Sequence, residues 1–292
     1  MDRHYQPYLN KHGIIRVFTP FGWSLFVGDA KLCKEISTKS DLYLKPGADC
    51  IMSVNMRRFF RKSQVGLSNS KEWKKHRKII NPIFNQTWST ELFGNCAQDL
   101  IDEYEKMAGK DVKIHDKIQR MTLDVFGKAI FDVDFKSVKN PSSKLYNLYH
   151  KIFEQLFGQP VYLLFPFMEY MPFFRRTELS HQLDEYQEFI QEMIALRKDE
   201  LKKGTLVDNR DLISALVKSN ENSSEVKLTM EEIRANLNVF IVAGHDTTSN
   251  TLTSTLYYLA RYPDIQEKLR SQVLSALDNP SPQKLKFQLL SN

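Results

Sequence analysis

Apolar residues recur at intervals of three and four through most of the chain, the spacing that places side chains on one face of a helix. One such stripe consists of Leu92, Cys96, Leu100 and Tyr104. Similar stripes occur within residues 118–129 and 183–194. The pattern from residue 91 onward therefore predicts a nearly all-helical structure.

Two segments near the N-terminus have a different character. Residues 14–18 and 23–27 are rich in β-branched and aromatic side chains, and the Pro-Phe-Gly sequence at 20–22 favours a turn between them. Asp29 comes next and is predicted to cap a short helix. The expected fold class is mostly α with a small N-terminal β hairpin, at about residues 14–27.

A long helix is predicted after Thr229. Thr229 and Glu232 form a capping-box sequence, and the helical pattern then continues unbroken to Tyr262, where Pro263 ends it. These limits give about 32 residues and a length of about 48 Å. Since the mean helix has about 11–12 residues, this one is predicted to span the whole molecule.

The middle of this predicted helix is chemically unusual. Residues 243–250 contain a glycine, a charged residue and several hydroxyls between apolar flanks. Glycine in a helix interior costs about 1 kcal/mol relative to alanine, and Thr or Ser can bend a helix by bonding to the carbonyl four residues earlier. A polar helix–helix contact would need only one or two such residues, so the cluster predicts a functional site.

Composition and charge fit a globular protein with a large core. Of 292 residues, 42% are hydrophobic and 26% are charged, and Gly and Pro number only 11 each. The formal net charge of +6 is large enough to steer an acidic partner toward the surface, or it belongs to a solvated exterior of mixed charge. Nucleic-acid binding is not predicted, because no basic cluster is interleaved with aromatic residues in the pattern of such proteins.

The cysteines and the apolar segments bear on cellular location. Cys33, Cys50 and Cys96 are scattered and odd in number, which favours reduced thiols in a cytosol-facing protein. No run of about 18 apolar residues predicts a transmembrane helix. Residues 161–174 are the most apolar segment, and they are interpreted as a core-facing loop, an apolar channel wall or a membrane-touching surface.

Residues 243–248, AGHDTT, resemble the A-G-x-D/E-T-T/S signature at the centre of the long distal helix of the cytochromes P-450. The resemblance implies that Ala243 and Gly244 leave a groove for dioxygen beside a haem. Thr247 would be the alcohol that hydrogen-bonds the oxygen, and Asp246 would be the acid that relays protons. Oxygen–oxygen cleavage needs two protons delivered in a mostly dry pocket, which a hydroxyl backed by a carboxylate can supply.

A second motif lies on a basic helix predicted over residues 71–83, which Pro82 is expected to interrupt. Trp73 and Arg77 resemble the W-x-x-x-R helix of the same family, and the NPIF sequence at 81–84 resembles the apolar-Pro-x-Phe segment of that helix. The resemblance implies that both side chains hydrogen-bond a haem propionate, a task that suits the forked donors of arginine. Alone, such a pair often only shares a helix face.

The resemblance covers almost the whole chain. It implies one incomplete cytochrome P-450 domain over residues 1–292, with the hairpin at about 14–27 and a helical part at about 71–292. Residues 8–16 resemble the family's first strand. The implied fold is thus a partial cytochrome P-450 fold around a long central helix.

The family resemblance also implies an activity and its partners. The activity is a monooxygenase that inserts one oxygen atom of O2 into an apolar small molecule. Haem b (iron protoporphyrin IX) would be the cofactor, with electrons from NADPH through a reductase. Lys71, Lys74, Lys75 and Lys78 could contact that acidic reductase, or they could form a solvated basic face.

Two family motifs are not found in these 292 residues. They are the Glu-x-x-Arg helix and the F-x-x-G-x-x-x-C-x-G loop, whose cysteine provides the thiolate ligand of the haem iron. Cys33, Cys50 and Cys96 lie in unrelated contexts, so no metal ligand is predicted here. The chain is expected to be a fragment that is inactive by itself and that exposes core surface.

The location and two alternatives complete the expectations. The resemblance implies the endoplasmic reticulum membrane, reached through an N-terminal anchor that this chain lacks and through residues 161–174. One alternative is a non-catalytic truncated product. The other is a helical ligand-binding module in which residues 244–248 bind an apolar or anionic ligand.

Overall fold

The computed structural model describes residues 2–19, 22–46, 52–86, 88–204, 211–220 and 226–277. In chain order the elements are α1 (Asp2–His12), β1 (Ile14–Thr19), β2 (Gly22–Val27), α2 (Ala30–Thr38), α3 (Val54–Phe60), α4 (Ser70–Phe84), α5 (Thr90–Glu105), α6 (Ile114–Phe126), α7 (Lys144–Phe157), α8 (Pro160–Leu164), α9 (Thr177–Lys203), α10 (Leu212–Lys218), α11 (Met230–Arg261) and α12 (Pro263–Leu277). A π-helical turn, Gly127–Phe131, extends α6. The structure is mostly helical, as predicted.

The predicted hairpin is confirmed. β1 and β2 pair antiparallel in a register that places Ile14 opposite Val27. Asp29 caps α2, because its carboxylate accepts the N–H of Leu32 at 2.8 Å. The predicted turn at 20–22 falls partly outside the described residues.

The segment before the hairpin differs from its prediction. Residues 8–12 resemble the family's first strand, but they form the end of α1, and β1 begins only at Ile14. Gly13 separates the two elements with a φ of +71°, a conformation that glycine adopts at low cost. The chain therefore leaves the helix at Gly13 and enters the strand directly.

The prediction that Pro82 interrupts the basic helix is wrong. α4 extends from Ser70 to Phe84 and includes Pro82 in its last turn. Proline removes one backbone N–H there, but the N–H of Asn85 still donates to the carbonyl of Asn81 at 3.1 Å. The helix therefore continues for two residues beyond Pro82, to Phe84.

The long helix is confirmed, since α11 contains 32 residues. The side chain of Thr229 accepts the N–H of Glu232, and the Glu232 carboxylate accepts the N–H of Thr229, so the capping box is complete. The first half of α11 is mostly buried, whereas residues 250–261 are mostly exposed.

One hydrophobic cluster joins α3, α6, α7, α9, α10 and the first half of α11. Tyr186 of α9 is fully buried and stacks on Phe59 of α3, with ring centroids 5.5 Å apart. The helix that packs most extensively against α11 is α6. The middle of α11 is therefore held from one side by a packed core.

The apolar segment at 161–174 is broken by its prolines, as predicted. Helix α8 gives way to 3-10 turns that begin at Pro166 and Pro172. Phe173 is 95% exposed, and Phe167 and Tyr170 are more than half exposed. Within these 292 residues the segment thus presents an apolar surface, and the three interpretations remain predictions.

Further apolar side chains are exposed on the second half of α11 and on α12. They include Tyr257, Tyr258, Ile265, Leu269 and Val273. The expected exposure of apolar surface is thus observed at these residues. None of the described helices has both the length and the apolar character needed to cross a bilayer.

Candidate functional site

The polar middle of α11 has one open face. Ala243 and Thr247 are exposed on successive turns, and the Thr247 hydroxyl donates to the carbonyl of Ala243 at 2.6 Å. Thr251, one turn later, repeats the arrangement by donating to the carbonyl of Thr247 at 2.8 Å. The structure therefore places Ala243 and Thr247 side by side on a surface that a ligand could cover.

Asp246 lies on a buried side of the same helix and is only 7% exposed. One carboxylate oxygen accepts the amide N–H of Gln119, and the other accepts the hydroxyl of Tyr149, each at 3.4 Å. Consecutive residues of a helix point about 100° apart. The structure therefore does not bring the carboxylate of Asp246 to the hydroxyl of Thr247, although the sequence predicts that they work together.

Gly244 has a packing role that the sequence does not reveal. A Cβ built on Gly244 would lie 2.2 Å from the ring of Phe126 on α6. The missing side chain thus lets the aromatic ring rest directly on α11, and the space beside Gly244 is filled by protein on this side. The sequence pattern indicates Phe126 only as one residue of an apolar stripe.

We expect Gly244→Ala to lower the free energy of unfolding by about 1–3 kcal/mol, because the new methyl group would overlap the ring of Phe126. The double variant with Phe126→Leu should lose less than the sum of the two single variants, since the smaller side chain relieves the overlap. Urea unfolding measures these differences. Exposed Ala243→Ser should change the value by less than about 0.5 kcal/mol. An equally small change in the free energy of unfolding for Gly244→Ala and Ala243→Ser would contradict the close packing of Phe126 on Gly244.

The second predicted pair lies on α4. Trp73 is half-buried, Arg77 is exposed, and the guanidinium lies 5.8 Å from the centre of the indole ring. Among the residues that the structure describes, neither the indole N–H nor the Arg77 guanidinium has a hydrogen-bond acceptor. The two side chains are thus adjacent donors that could bind an anionic group from outside the described chain.

Side chains of α4 reach α11 at several points. Lys75 forms an ion pair of 2.6 Å with Glu232, at the start of α11. Farther along, Phe84 stacks on Phe240 with ring centroids 5.2 Å apart. These contacts align α4 with the first half of α11. Arg77 lies on α4 between the two contact residues, Lys75 and Phe84.

The exposed Glu72 and the buried His76 and Glu232 form a polar junction between the two helices, with their potential ligand atoms within 4.8 Å of one another. The hydroxyl of Ser63 contacts all three side chains. Burial, opposed by the two carboxylates, lowers the pKa of His76, which is therefore neutral near pH 7. The side chains of the junction find hydrogen-bond partners within the protein, and these bonds join α4 to α11.

An apolar cavity of about 440 Å³ lies beside the middle of α11. Its wall includes Phe84, Met121, Phe126, Gly244 and Leu252. Apart from the hydroxyls of Thr122 and Thr248 and the indole of Trp88, this wall consists of apolar side chains and Gly244. The cavity therefore suits an apolar side chain or small molecule.

A family model described as cytochrome P450 matches residues 9–291. Among curated proteins, the chain is 28% identical to Cytochrome P450 3A16 of Mus musculus, over 89% of this chain and 54% of that protein. It is 30% identical to Cytochrome P450 3A5 of Homo sapiens, over 76% of this chain and 46% of that protein. The chain spans about half the length of the curated relatives it matches.

Solved structures share the fold. The cytochrome P450DA heme domain is similar with a TM-score of 0.73 at 21% identity, covering 99% of this chain and 64% of that one. A zebra fish cytochrome P450 solved with abiraterone gives a TM-score of 0.74 at 16% identity, covering 95% of this chain and 63% of that one. Because the family model matches nearly every residue, the chain belongs to the cytochrome P450 family.

Proposed function

We propose that this chain is part of a haem-dependent monooxygenase that inserts one oxygen atom of O2 into an apolar small molecule. The observation that carries the proposal is the open face of α11. There a small residue, Ala243, and a hydroxyl, Thr247, are exposed in the middle of a helix whose first half is mostly buried. Family membership supports haem monooxygenase chemistry in general.

The residues present fit one side of a haem. Ala243 offers a flat, uncrowded surface, and Trp73 and Arg77 are adjacent donors without acceptors among the described residues, as a propionate would require. When bound, haem supplies the activation of dioxygen. Gly244 contributes less to this fit than the motif implies, because Phe126 fills the space beside it.

The chain's own residues would handle protons. Thr247 can donate or accept a hydrogen bond on the open face, and Asp246 is the nearest carboxylic acid in sequence. The buried position of Asp246 keeps water away from its carboxylate, which strengthens its hydrogen bonds. Proton delivery through these two residues requires a side-chain movement or an ordered water between them.

By themselves, these 292 residues are proposed to be inactive. A thiolate ligand needs a reactive, accessible cysteine, whereas Cys96 is buried and its burial raises the pKa of its thiol. Cys33 is exposed, and its thiol contacts the carbonyl of Val27. Cys50 lies outside the described residues. We propose that residues 1–292 form a single, incomplete cytochrome P450 domain.

Partners and location are proposed from the family. NADPH through a reductase is the proposed electron source, and the endoplasmic reticulum membrane is the proposed location. Of the four lysines that could contact the reductase, Lys75 forms an ion pair with Glu232, and Lys74 forms one of 3.4 Å with Asp41. The exposed aromatic residues of 161–174 support membrane contact, and they suit the interface better than water.

A helical ligand-binding module is the second candidate. The apolar cavity of about 440 Å³ favours it, since that volume could hold a small apolar molecule without redox chemistry. An apolar ligand in that cavity would give the donors of Trp73 and Arg77 no acceptor. Haem binding that depends on these two residues therefore separates the candidates.

The test of the proposed function is Thr247→Ala in the haem-loaded protein expressed from its full reading frame. We expect product formed per NADPH to fall at least about tenfold, because without directed proton delivery O2 takes up the two electrons and two protons from solvent and leaves as hydrogen peroxide. Thr251→Ala is the matched control, with the same hydroxyl geometry one turn away. Equal coupling of NADPH to product in both variants would reject the role of Thr247.

A further inference from the structure

The hydrogen bonds around Asp246 form a small buried cluster that the sequence motif does not predict. Gln119 on α6 and Tyr149 on α7 each donate to one oxygen of the carboxylate at 3.4 Å. Tyr149 is 2% exposed and Gln119 is 8% exposed, so water has little access to these bonds. Two separate helices thus hold the acid of α11 from the side away from Thr247.

Both donors are fixed in their roles. Burial, and next the negative charge of Asp246, raise the pKa of Tyr149 well above its usual value, so its hydroxyl keeps its proton. The single proton of the Tyr146 hydroxyl is directed mainly to Asp116, at 3.0 Å, and its longer contact with the Gln119 oxygen, at 3.4 Å, is compatible with the Gln119 amide N–H group facing Asp246. The opposite orientation would place that oxygen against a carboxylate, which is repulsive.

His245 also packs around the Asp246 carboxylate. Its ring is 1% exposed and stands edge-on to Tyr149, with ring centroids 5.3 Å apart. Nδ1 lies 3.1 Å from an oxygen of Asp246, but neither ring nitrogen has a hydrogen bond in the described part of the chain. The two hydrogen bonds to the carboxylate therefore come from Gln119 and Tyr149, and the His245 ring packs beside the same carboxylate.

The cluster connects to the surface, but it is unsuited to carrying protons. Tyr146 donates to Asp116 at 3.0 Å, and the Asp116 side chain is 43% exposed. Between Tyr146 and Asp246, however, the link is the amide of Gln119, which does not readily release and regain a proton. A holding role is therefore favoured over a relay.

We propose that Tyr149 and Gln119 are positioning residues that keep the carboxylate of Asp246 on the buried side of α11. The inference rests on the proposed function, in which Asp246 supplies protons toward the face of Thr247. To reach that face, the carboxylate must break both hydrogen bonds. Their strength then sets how often the acid is available.

The first test is a double-mutant cycle on the full chain, with urea unfolding as the measurement. Tyr149→Phe should raise the unfolding equilibrium constant about tenfold when Asp246 is present, the lower end for a hydrogen bond to a charged group. In the Asp246→Asn background the same change should have less than about a threefold effect. Equal effects in both backgrounds would overturn the proposal.

Tyr186→Phe is the matched control. Tyr186 is equally buried, and its hydroxyl has no hydrogen-bond partner among the described residues. Its removal should change the unfolding constant by less than about threefold in either background. A Tyr186 effect that matches the Tyr149 effect would show that any buried hydroxyl behaves this way, which also overturns the proposal.

The second test is spectroscopic and needs no turnover. The infrared carboxylate stretch of Asp246, identified as the band lost in Asp246→Asn, should shift in Tyr149→Phe and in Gln119→Leu but stay fixed in Tyr186→Phe. An unmoved band in the first two variants would reject the holding role. If the band shifts while Thr247→Ala leaves product coupling intact, the positioning stands and the proposed use of Asp246 fails.

Discussion

Replacing Arg176 with methionine is expected to lower the free energy of unfolding by about 3–5 kcal/mol, because it leaves the Glu169 carboxylate buried without its partner. The side chains of Glu169 and Arg176 are 1% and 7% exposed. The guanidinium of Arg176 also donates to the hydroxyl of Ser53 at 3.3 Å and lies 4.1 Å from the ring centre of Tyr162. Urea unfolding near pH 7 measures the loss.

The pair matters because it joins the apolar segment at 161–174 to the rest of the fold. Glu169 lies within that segment and accepts two hydrogen bonds from Asn55 of α3, one of them from the backbone N–H at 2.8 Å. Arg176 immediately precedes α9. Losing the guanidinium should therefore loosen the proposed membrane-touching segment first.

The same pair predicts a pH dependence. Burial disfavours the charged form, but the hydrogen bonds from Asn55 and Arg176 outweigh it and hold the pKa of Glu169 below its ordinary value. A depressed carboxyl pKa contributes stability that is complete above the unfolded-state value of about 4.3 and is lost as the pH falls through the folded value. In Arg176→Met the pKa of Glu169 should rise, so the free energy of unfolding should decrease less as the pH falls below about 4.3.

Arg58→Met provides the matched control for this prediction. Arg58 forms an ion pair of 2.5 Å with Asp184, but these side chains are 37% and 59% exposed. Exposed pairs contribute at most about 1 kcal/mol, so the same substitution should have a small effect. Similar losses at Arg58 and Arg176 would contradict the claim that burial makes the Glu169 pair important.

Asp124→Ala is expected to cost about 2–5 kcal/mol, because it leaves two buried backbone donors without an acceptor. The Asp124 carboxylate accepts the N–H of Ser137 at 2.7 Å and that of Val138 at 3.0 Å. Both of these residues are at most 1% exposed, so water cannot replace the lost acceptor. The loop they belong to would detach from α6, the helix that supports the middle of α11.

The control for Asp124 keeps half of the interaction. Asp124→Asn retains one oxygen as an acceptor and should lose about half as much stability as the alanine variant. Unfolding followed by circular dichroism compares the two variants with the parent chain. If alanine and asparagine are equally well tolerated, the carboxylate is not the group that holds residues 137 and 138.

Local patterns in the sequence predict much of the fold. The capping box at Thr229 and the proline at 263 define α11 within one residue, because both act on the helix backbone next to them. The hairpin is predicted by β-prone residues around a turn. Pro82 is misleading, because α4 includes it and continues for two more residues, although proline provides no backbone N–H for a helical hydrogen bond.

The site is less predictable, because its contacts join residues far apart in the chain. The motif at 243–248 indicates which residues of α11 carry chemistry, but it cannot show that Asp246 and Thr247 lie on different sides of the helix. Gln119 and Tyr149 precede Asp246 by 127 and 97 residues, and no local signal marks them as its donors. The packing of Phe126 on Gly244 depends in the same way on how α6 crosses α11.

The most direct measurement of the central claim is a haem titration of the protein expressed from its full reading frame, with Arg77→Leu as the variant and Lys71→Leu as a control on the same helix. We predict one haem per chain, a thiolate-type Soret band after reduction under carbon monoxide, and haem affinity at least about tenfold weaker in Arg77→Leu only, as expected for a lost charged hydrogen bond. A full reading frame whose product binds no haem, or binds it equally well without Arg77, would contradict the account.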